Sequence, residues 1–347
     1  MENKKVVVKH SIKGSITVKK EKLLQVKKAL GRRLGFQDEK RQVITDTTHL
    51  EPRAYNNQGE RMHFFYLQDD LCTHNPYSFA SPELSVTQHI IWDRYNAALP
   101  IHFYSHDHIF FSKATARKKF GILIESEAIV PSDYDNVFNR TEVIGEYDGI
   151  FTHSYRILER FENAYFMPGG GIWYGAEAGG GCRREDQYLR KTKNISCVSS
   201  GKDNCELHTY RRKVANHYRK SGLVDTMGTF DGGSPIKIAE SLTEYRYSIV
   251  VENYISPLYF TEKILNCFAA MTIPIYIGAM DIGKFFNIGG IIRIDPVDFD
   301  KLDKIIMRCC KEDYEERHAA IIDNYNRSKK YCCYEDYLYD TYAKIIL

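Results

Sequence analysis

Residues Tyr245–Gly278 read YRYSIVVENYISPLYFTEKILNCFAAMTIPIYIG. Two short apolar runs, YRYSIVV and TIPIYIG, enclose one amphipathic segment, and the loop between carries Glu252, Asn253, Tyr259, Thr261, Glu262 and Lys263. The runs have the length and β-branched composition of buried strands, so the stretch reads as strand, helix, strand. Thr261 has the character of an N-cap, and Ile264, Phe268 and Met271 recur at i, i+4 and i+7 as one apolar stripe. Glu262 and Lys263 then fall in the first helical turn. A lysine there meets the positive end of the helix dipole, which is unfavourable on its own. A diphosphate just beyond the helix would turn that misfit to use, drawing on free backbone N–H groups, the dipole and the Lys263 ammonium together. The plain alternative is a solvated lysine on an exposed turn.

Working outward, NISCVSS (194–200) reads as a strand, HTYRRKVANHYRKSG (208–222) as a basic helix, VDTMG (224–228) as a short strand and PIKIAESLTEY (235–245) as a helix. GIIRIDP (290–296) reads as a last strand, and helical patterns dominate from Asp298 onward. In the first half, KKFGILIESEA (118–128) reads as a buried strand ending at Glu125. YDGIFTHS and NAYFMPGG follow as strands around the helix SYRILERFE. IHFYSHDHIFF (101–111) has a strand-like pattern, whereas 36–90 is polar and irregular. The glycine-rich stretch 168–186, with seven glycines, reads as an interdomain connection or a mobile cleft wall. These patterns predict an α/β protein of two domains, residues 1–180 and 181–347, with a helical tail on the second. The length of 347 residues suits two cores better than one.

Composition is that of a folded protein, with 43% hydrophobic and 27% charged residues. Eleven Lys/Arg against two Glu give residues 1–33 a local charge of +9, leaving −6 elsewhere in a chain of net +3. A solvated helix face accounts for this, and a peripheral contact with an anionic membrane surface is the sharper reading, each basic residue being worth about 1 kcal/mol there. No run of 18 apolar residues and no signal-peptide core is present. Nine cysteines, two adjacent pairs among them and none in CxxC spacing, suit a reducing cytoplasm. Only the RRK helix and the basic amino end speak for nucleic acid, so no nucleic-acid partner is expected.

Taken as a composite, the opening stretch resembles the family 10 glycosyltransferases, the GDP-fucose-dependent α-1,3/4-fucosyltransferases. Their signature joins a strand ending in FEN, a Tyr six residues on, TEK, a helix, and a V/I-P-V/I strand ending in Gly. Here it stands as Val251-Glu252-Asn253, Tyr259, Thr261-Glu262-Lys263, Ile273-Pro274-Ile275 and Gly278, with Val251 replacing the usual Phe. The resemblance extends over about 190–300, more loosely over 119–170, and not before residue 110. It implies a GT-B fold, two Rossmann-like domains facing each other across a cleft.

It also implies a site. Arg211, three residues before the helix-core Val214, matches a phosphate-binding Arg, with Arg212 as the rival by one position. Asn253 and Tyr259 would contact the diphosphate or sugar, Glu262 the ribose or sugar hydroxyls, Lys263 the diphosphate, and Glu252 belongs to the same donor-binding set. Glu125 matches the family's general base, with Glu127 as fallback. A carboxylate at a strand end facing a cleft can take a hydroxyl proton as the bond forms. The implied reaction is inverting transfer of fucose from GDP-fucose to a hydroxyl of a glycan or glycolipid acceptor, of lipopolysaccharide or capsule type. No cofactor or divalent metal is required, because two cations and helix dipoles neutralise the departing diphosphate. Another GDP-linked sugar, or a non-catalytic sugar-binding relative, are the alternatives.

Three further groups invite a role. His102, His106 and His108 lie in one segment and are candidates for acceptor contacts or plain packing, with no fourth ligand to complete a metal site. Asp133-Tyr134-Asp135 and Asp298-Phe299-Asp300 have the DxD form that holds a metal in other glycosyltransferases. The second falls at a helix start, where aspartates cap.

Overall fold

The computed structural model describes residues 54–69, 87–112, 115–175 and 186–347. The basic stretch 1–33 with its expected membrane contact lies outside them, as do Cys72, Cys182 and residues 176–185 of the glycine-rich segment.

Six strands form the first sheet: β1 (His63–Gln68), β2 (Ile90–Asp93), β3 (Ile101–Ser105), β4 (Lys118–Leu123), β5 (Gly149–Thr152) and β6 (Ala164–Phe166). They run parallel in the order β2-β1-β3-β4-β5-β6. Strands β3 and β5 are buried along their whole length, as expected of a parallel sheet covered on both faces. Helices α1 (Pro131–Asn139) and α2 (Thr141–Ile144) connect β4 to β5, and α3 (Tyr155–Arg160) connects β5 to β6. Strands β1 and β2 come from the region that shows no strand pattern in the sequence. The IHFYSHDHIFF segment is not one strand: it ends at Ser105, and a 3₁₀ turn follows over His106–Phe110.

The second sheet holds β7 (Lys193–Val198), β8 (Asp225–Met227), β9 (Tyr245–Val251), β10 (Ile273–Ile277) and β11 (Ile292–Arg293). Its order is β11-β10-β9-β7-β8, all parallel. Counted from β7 this is the doubly wound order 2-1-3-4-5, with the topological switch between β7 and β9. Ligands bind such sheets in the crevice beyond the carboxyl ends at the switch. The two helices that leave it are α4 (Glu206–Tyr218), after β7, and α6 (Glu262–Ala269), after β9; α5 (Ile238–Leu242) lies between. Thr261 caps α6 as its type predicts, accepting from the Lys263 N–H. Ile264 and Phe268 are buried, but Met271 does not continue the stripe: at φ +53 it ends the helix in the left-handed region. Thr272 N–H then bonds Cys267 O and Met271 N–H bonds Phe268 O, a Schellman closure.

Helices α7 (Phe299–Ile306), α8 (Lys311–Glu316), α9 (His318–Ser328) and α10 (Tyr334–Ile346) complete the chain. The last packs across the boundary expected between residues 180 and 181. Leu338 and Ile346 of α10 join the core of the first sheet with Phe65, Trp92 and Phe103. Trp92 Nε1 donates to Glu335 at 2.9 Å, and Asp336 accepts from the Gln88 N–H at 2.7 Å. The tail therefore belongs to the first layer. Conversely, residues 168–175 already pack on the second, since Ile172 and Tyr174 share a core with Ile264 and Phe268. The Trp173 and Tyr174 N–H groups both donate to Asn266 Oδ1 at 2.7 Å, so this part of the glycine-rich segment is an ordered crossing.

Candidate active site

The site is built where the carboxyl edges of the two sheets meet. Asn253, two residues beyond β9, donates from Nδ2 to Glu125 Oε1 at 3.1 Å, and Glu125 stands two residues beyond β4. His153, just past β5, lies against Tyr259 with ring centroids 4.4 Å apart. This is the GT-B arrangement, two doubly wound sheets opposed at their ligand-binding ends.

On the second sheet, Glu252 is the first residue past β9 and is 0% exposed. Its carboxylate accepts from the Thr261 N–H at 3.0 Å and the Thr261 hydroxyl at 2.7 Å, and Lys263 Nζ lies 3.3 Å away. Lys263 Nζ also reaches Glu262 Oε1 and Thr261 Oγ1, each at 3.0 Å. Burial opposes the charge on Lys263, but Glu262 and Glu252 prevail and raise its pKa above the ordinary lysine value. Burial raises that of Glu252, against the pull of Lys263. Burial also works against Glu262, yet Lys263 beside it holds its pKa below the usual carboxylate range.

Two expectations are corrected here. Glu252 has no surface with which to touch a donor; it is the anion under the amino end of α6, where the dipole favours one. A Cβ on Gly278 would overlap Glu252 Cγ and the Tyr276 hydroxyl, so that glycine makes room for the carboxylate. Tyr259, 2% exposed and packed on His153, is likewise buried in the wall rather than presented to the cleft. The glycine-rich crossing closes the same corner: a Cβ on Gly170 would run into the Glu262 backbone nitrogen.

Helix α4 supplies the second cation. Arg211, 9% exposed, turns to the end of β9 and donates from Nη1 to Val251 O at 3.3 Å, while its Nε has no protein partner. Arg212 lies on a less buried line of the helix, so the geometry separates the two rivals. One turn earlier, His208 is 5% exposed with Nδ1 unpartnered. Asn253 Oδ1 is also buried without a partner. A cavity of about 230 Å³ opens beyond β8, lined by Arg219, Met227, Gly228, Phe230 and Ser234 among others.

On the first sheet, Glu125 is held by its backbone. Its N–H donates to His106 Nε2 at 3.3 Å, and its carbonyl accepts from the Tyr134 hydroxyl at 2.5 Å and from His153 Nε2 at 3.2 Å. Because Nε2 of His106 accepts, Nδ1 carries the proton and donates to Asp133 Oδ2 at 3.1 Å. His106 sits at φ +55, a strained backbone of the kind found where a side chain must be aimed. Burial lowers the His153 pKa to about 4, so that ring is neutral. The carboxylate itself accepts on Oε1 from the Ser126 N–H at 2.8 Å and from Asn253.

The DYD triplet thus has another use. Asp133 and Tyr134, on the inner face of α1, brace Glu125 through His106 and directly, while Asp135 points outward and is exposed. Asp298 caps α7, accepting from the Lys301 N–H at 2.9 Å. Among the described residues no three His, Cys, Asp or Glu side chains converge as a metal site. Glu127 is bound by the Ser154 hydroxyl and Arg156, both at 2.5 Å. His102 is not an acceptor contact. It lies at the amino end of β3, about 20 Å along the strand direction from Glu125, with its nitrogens engaged by Leu99 O and the Tyr104 hydroxyl. His106 is at the site, as a brace. The sequence singles out Asp133 and Tyr134 only as part of a DxD triplet, and His208 not at all; the helical spacing of His208 to Arg211 is the one signal that points to it.

Residues 189–318 match the sequence model of the family described as glycosyltransferase family 10 (fucosyltransferase), C-terminal. Solved structures similar to the chain include an alpha1,3-fucosyltransferase with GDP-fucose, at 15% identity over 82% of this chain and 90% of that one, TM-score 0.45. An alpha1,3-fucosyltransferase with GDP gives 14% over 85% and 93%, TM-score 0.45, and TarM gives 10% over 71% and 54%, TM-score 0.45. No curated protein sequence matches significantly. The matched stretch contains β7 to β11 and hence the cation-bearing half of the site, whereas Glu125 lies upstream of the match.

Proposed function

We propose that this glycosyltransferase moves fucose from GDP-fucose to a hydroxyl of a glycan acceptor, in one inverting displacement that needs no divalent metal. The observation that carries the reading is the 3.1 Å contact between Asn253 and Glu125, which joins a first-sheet carboxylate to the edge bearing Lys263 and Arg211. Both hydrogen bonds to the Glu125 carboxylate are made on Oε1, so the acceptor proton goes to Oε2. The acceptor oxygen then bonds the anomeric carbon as the carbon–phosphate oxygen bond breaks, and the electron pair leaves on the diphosphate. Lys263 and Arg211 neutralise that charge in a site held ready before the reaction, the arrangement that supplies most catalytic power of this kind. The base of the nucleotide suits the cavity beyond β8.

A lipopolysaccharide or capsule glycan made on the cytoplasmic side of a membrane is part of the same proposal. In its favour stand the thiols of Cys197, Cys205, Cys267, Cys309, Cys310 and Cys333, which form no disulfide among the described residues, and Tyr155, an exposed aromatic face at the head of α3 suited to a sugar. Among the described residues no helix is long and apolar enough to cross a membrane.

Thermal-shift measurements with GDP, UDP, CDP and dTDP test the nucleotide, followed by GDP-fucose against GDP-mannose. GDP is expected to raise the melting temperature most, and GDP-fucose more than GDP-mannose. A larger response to UDP, or none to any nucleotide, would overturn the reading.

A further inference from the structure

Among the described residues, the buried polar atoms near the switch point of the second sheet that lack a hydrogen-bond partner include Asn253 Oδ1, Arg211 Nε and His208 Nδ1. The first two belong to residues already read as donor contacts. His208 does not. It precedes Arg211 by three positions on α4, which puts the two side chains on one face of the helix. It is 5% exposed, and a buried polar atom left unpaired carries a cost that needs an explanation.

The groups that act on it come from every side of the cleft. Arg211 stands on its own helix, Lys202 on the loop leading into α4, Lys263 on α6, and Glu125 at the edge of the first sheet. Strand β8, which α4 also covers, has Asp225 as its one charged residue, and that carboxylate accepts from the Tyr245 hydroxyl. Three cations and one carboxylate therefore act on a buried ring whose Nδ1 has no partner among the described residues.

We propose that His208 binds the diphosphate of the donor, as a third contact beside Arg211 and Lys263. The inference rests on the donor reading above. Burial, then Arg211, Lys202 and Lys263, lower the His208 pKa in the empty site, with Glu125 opposing. A diphosphate diester is ionised throughout the neutral range, and its arrival cancels the cationic field. The ring then gains a proton from solvent, and both nitrogens become donors. The sign follows: with the pKa higher in the complex than in the free protein, donor binding takes up a proton. Affinity rises as pH falls through the bound-state value and levels off below the free-state value.

Calorimetric titration of GDP-fucose between pH 6 and 8, in two buffers of different ionisation enthalpy, reads both the affinity and the proton count. GDP-fucose is the probe because the terminal phosphate of GDP itself titrates near pH ~6. The unmodified protein is expected to take up a proton and to bind about tenfold more tightly at pH 6 than at pH 8, as one unit of pKa shift implies. His208→Gln, which retains hydrogen-bonding capacity without a titrating ring, is expected to lose the proton uptake and most of the pH slope while still binding. An unmodified protein that takes up no proton overturns the proposal, whether or not the variant folds. So does a variant with an unchanged slope. Failure of the unmodified protein to bind GDP-fucose at any pH sinks the donor reading itself.

Discussion

Two glutamates stand just past the ends of central strands, Glu125 beyond β4 and Glu252 beyond β9, and the fold gives them opposite fates. Glu252 is covered by α6, and its carboxylate is consumed by Thr261 and Lys263. Glu125 is held by backbone atoms, through His106, Tyr134 and His153, so its carboxylate stays at the cleft. A strand-end acid is thus an anchor or a reagent according to what packs above it. The same contrast holds between lysines. Lys263, beside two carboxylates, has its pKa raised. Lys191, buried with Leu242 O and the Thr272 hydroxyl as its hydrogen-bond partners among the described residues, has its pKa lowered to about 7 by burial.

Exchanging the two acids in turn gives the largest effects. Glu125→Gln should lower sugar transfer by about 10²–10⁴-fold and leave GDP-fucose affinity within a few-fold, measured by GDP release and by calorimetry. Unchanged turnover would remove Glu125 from the chemistry. Glu252→Ala should instead cost about 3 kcal/mol in chemical denaturation, by stripping a buried cation of one partner and uncapping α6. Glu125→Ala should cost no more than about 0.5 kcal/mol. Equal losses from the two alanine variants would erase the distinction drawn here.

Lys263→Ala should weaken GDP binding more than tenfold, the equivalent of about 1.5–3 kcal/mol for charged hydrogen bonds. Asp133→Asn probes the brace. It should lower turnover by about tenfold, the scale of a small misplacement of a reacting group, with GDP-fucose affinity unchanged. Loss of affinity instead would make Asp133 a general stabiliser. The smallest effect concerns pH. Lys191 binds fewer protons folded than unfolded between about pH 7 and its ordinary value of 10.5. Stability from this residue therefore rises with pH across that window. Melting temperatures of Lys191→Met should lack that component of the rise; parallel curves for the two proteins would refute it.

Local rules made much of this legible. The cap at Thr261, the apolar stripe through Ile264 and Phe268, and Glu125 at the end of KKFGIL all depend on contacts within a few residues, which spacing and residue type reveal. The choice of Arg211 over Arg212 follows from one hundred degrees of helical rotation, which its spacing to Val214 already encodes. Strands β1 and β2 were not legible, because HFFYLQ and IIWD are too short and too mixed in polarity to show a period.

Other features were settled only by packing between distant parts of the chain. Glu252 is an anchor because Gly278 leaves it room and α6 closes over it. The DYD triplet braces Glu125 because α1 lies beside the turn at His106. Helix α10 belongs to the first sheet because Leu338 and Ile346 find their apolar partners there, 235 to 281 residues back along the chain at Phe103 and Phe65. The sequence alone therefore determined which residues carry charge and where helices begin. Which of those charges face a ligand was decided by tertiary structure, since burial depends on neighbours that no local pattern records.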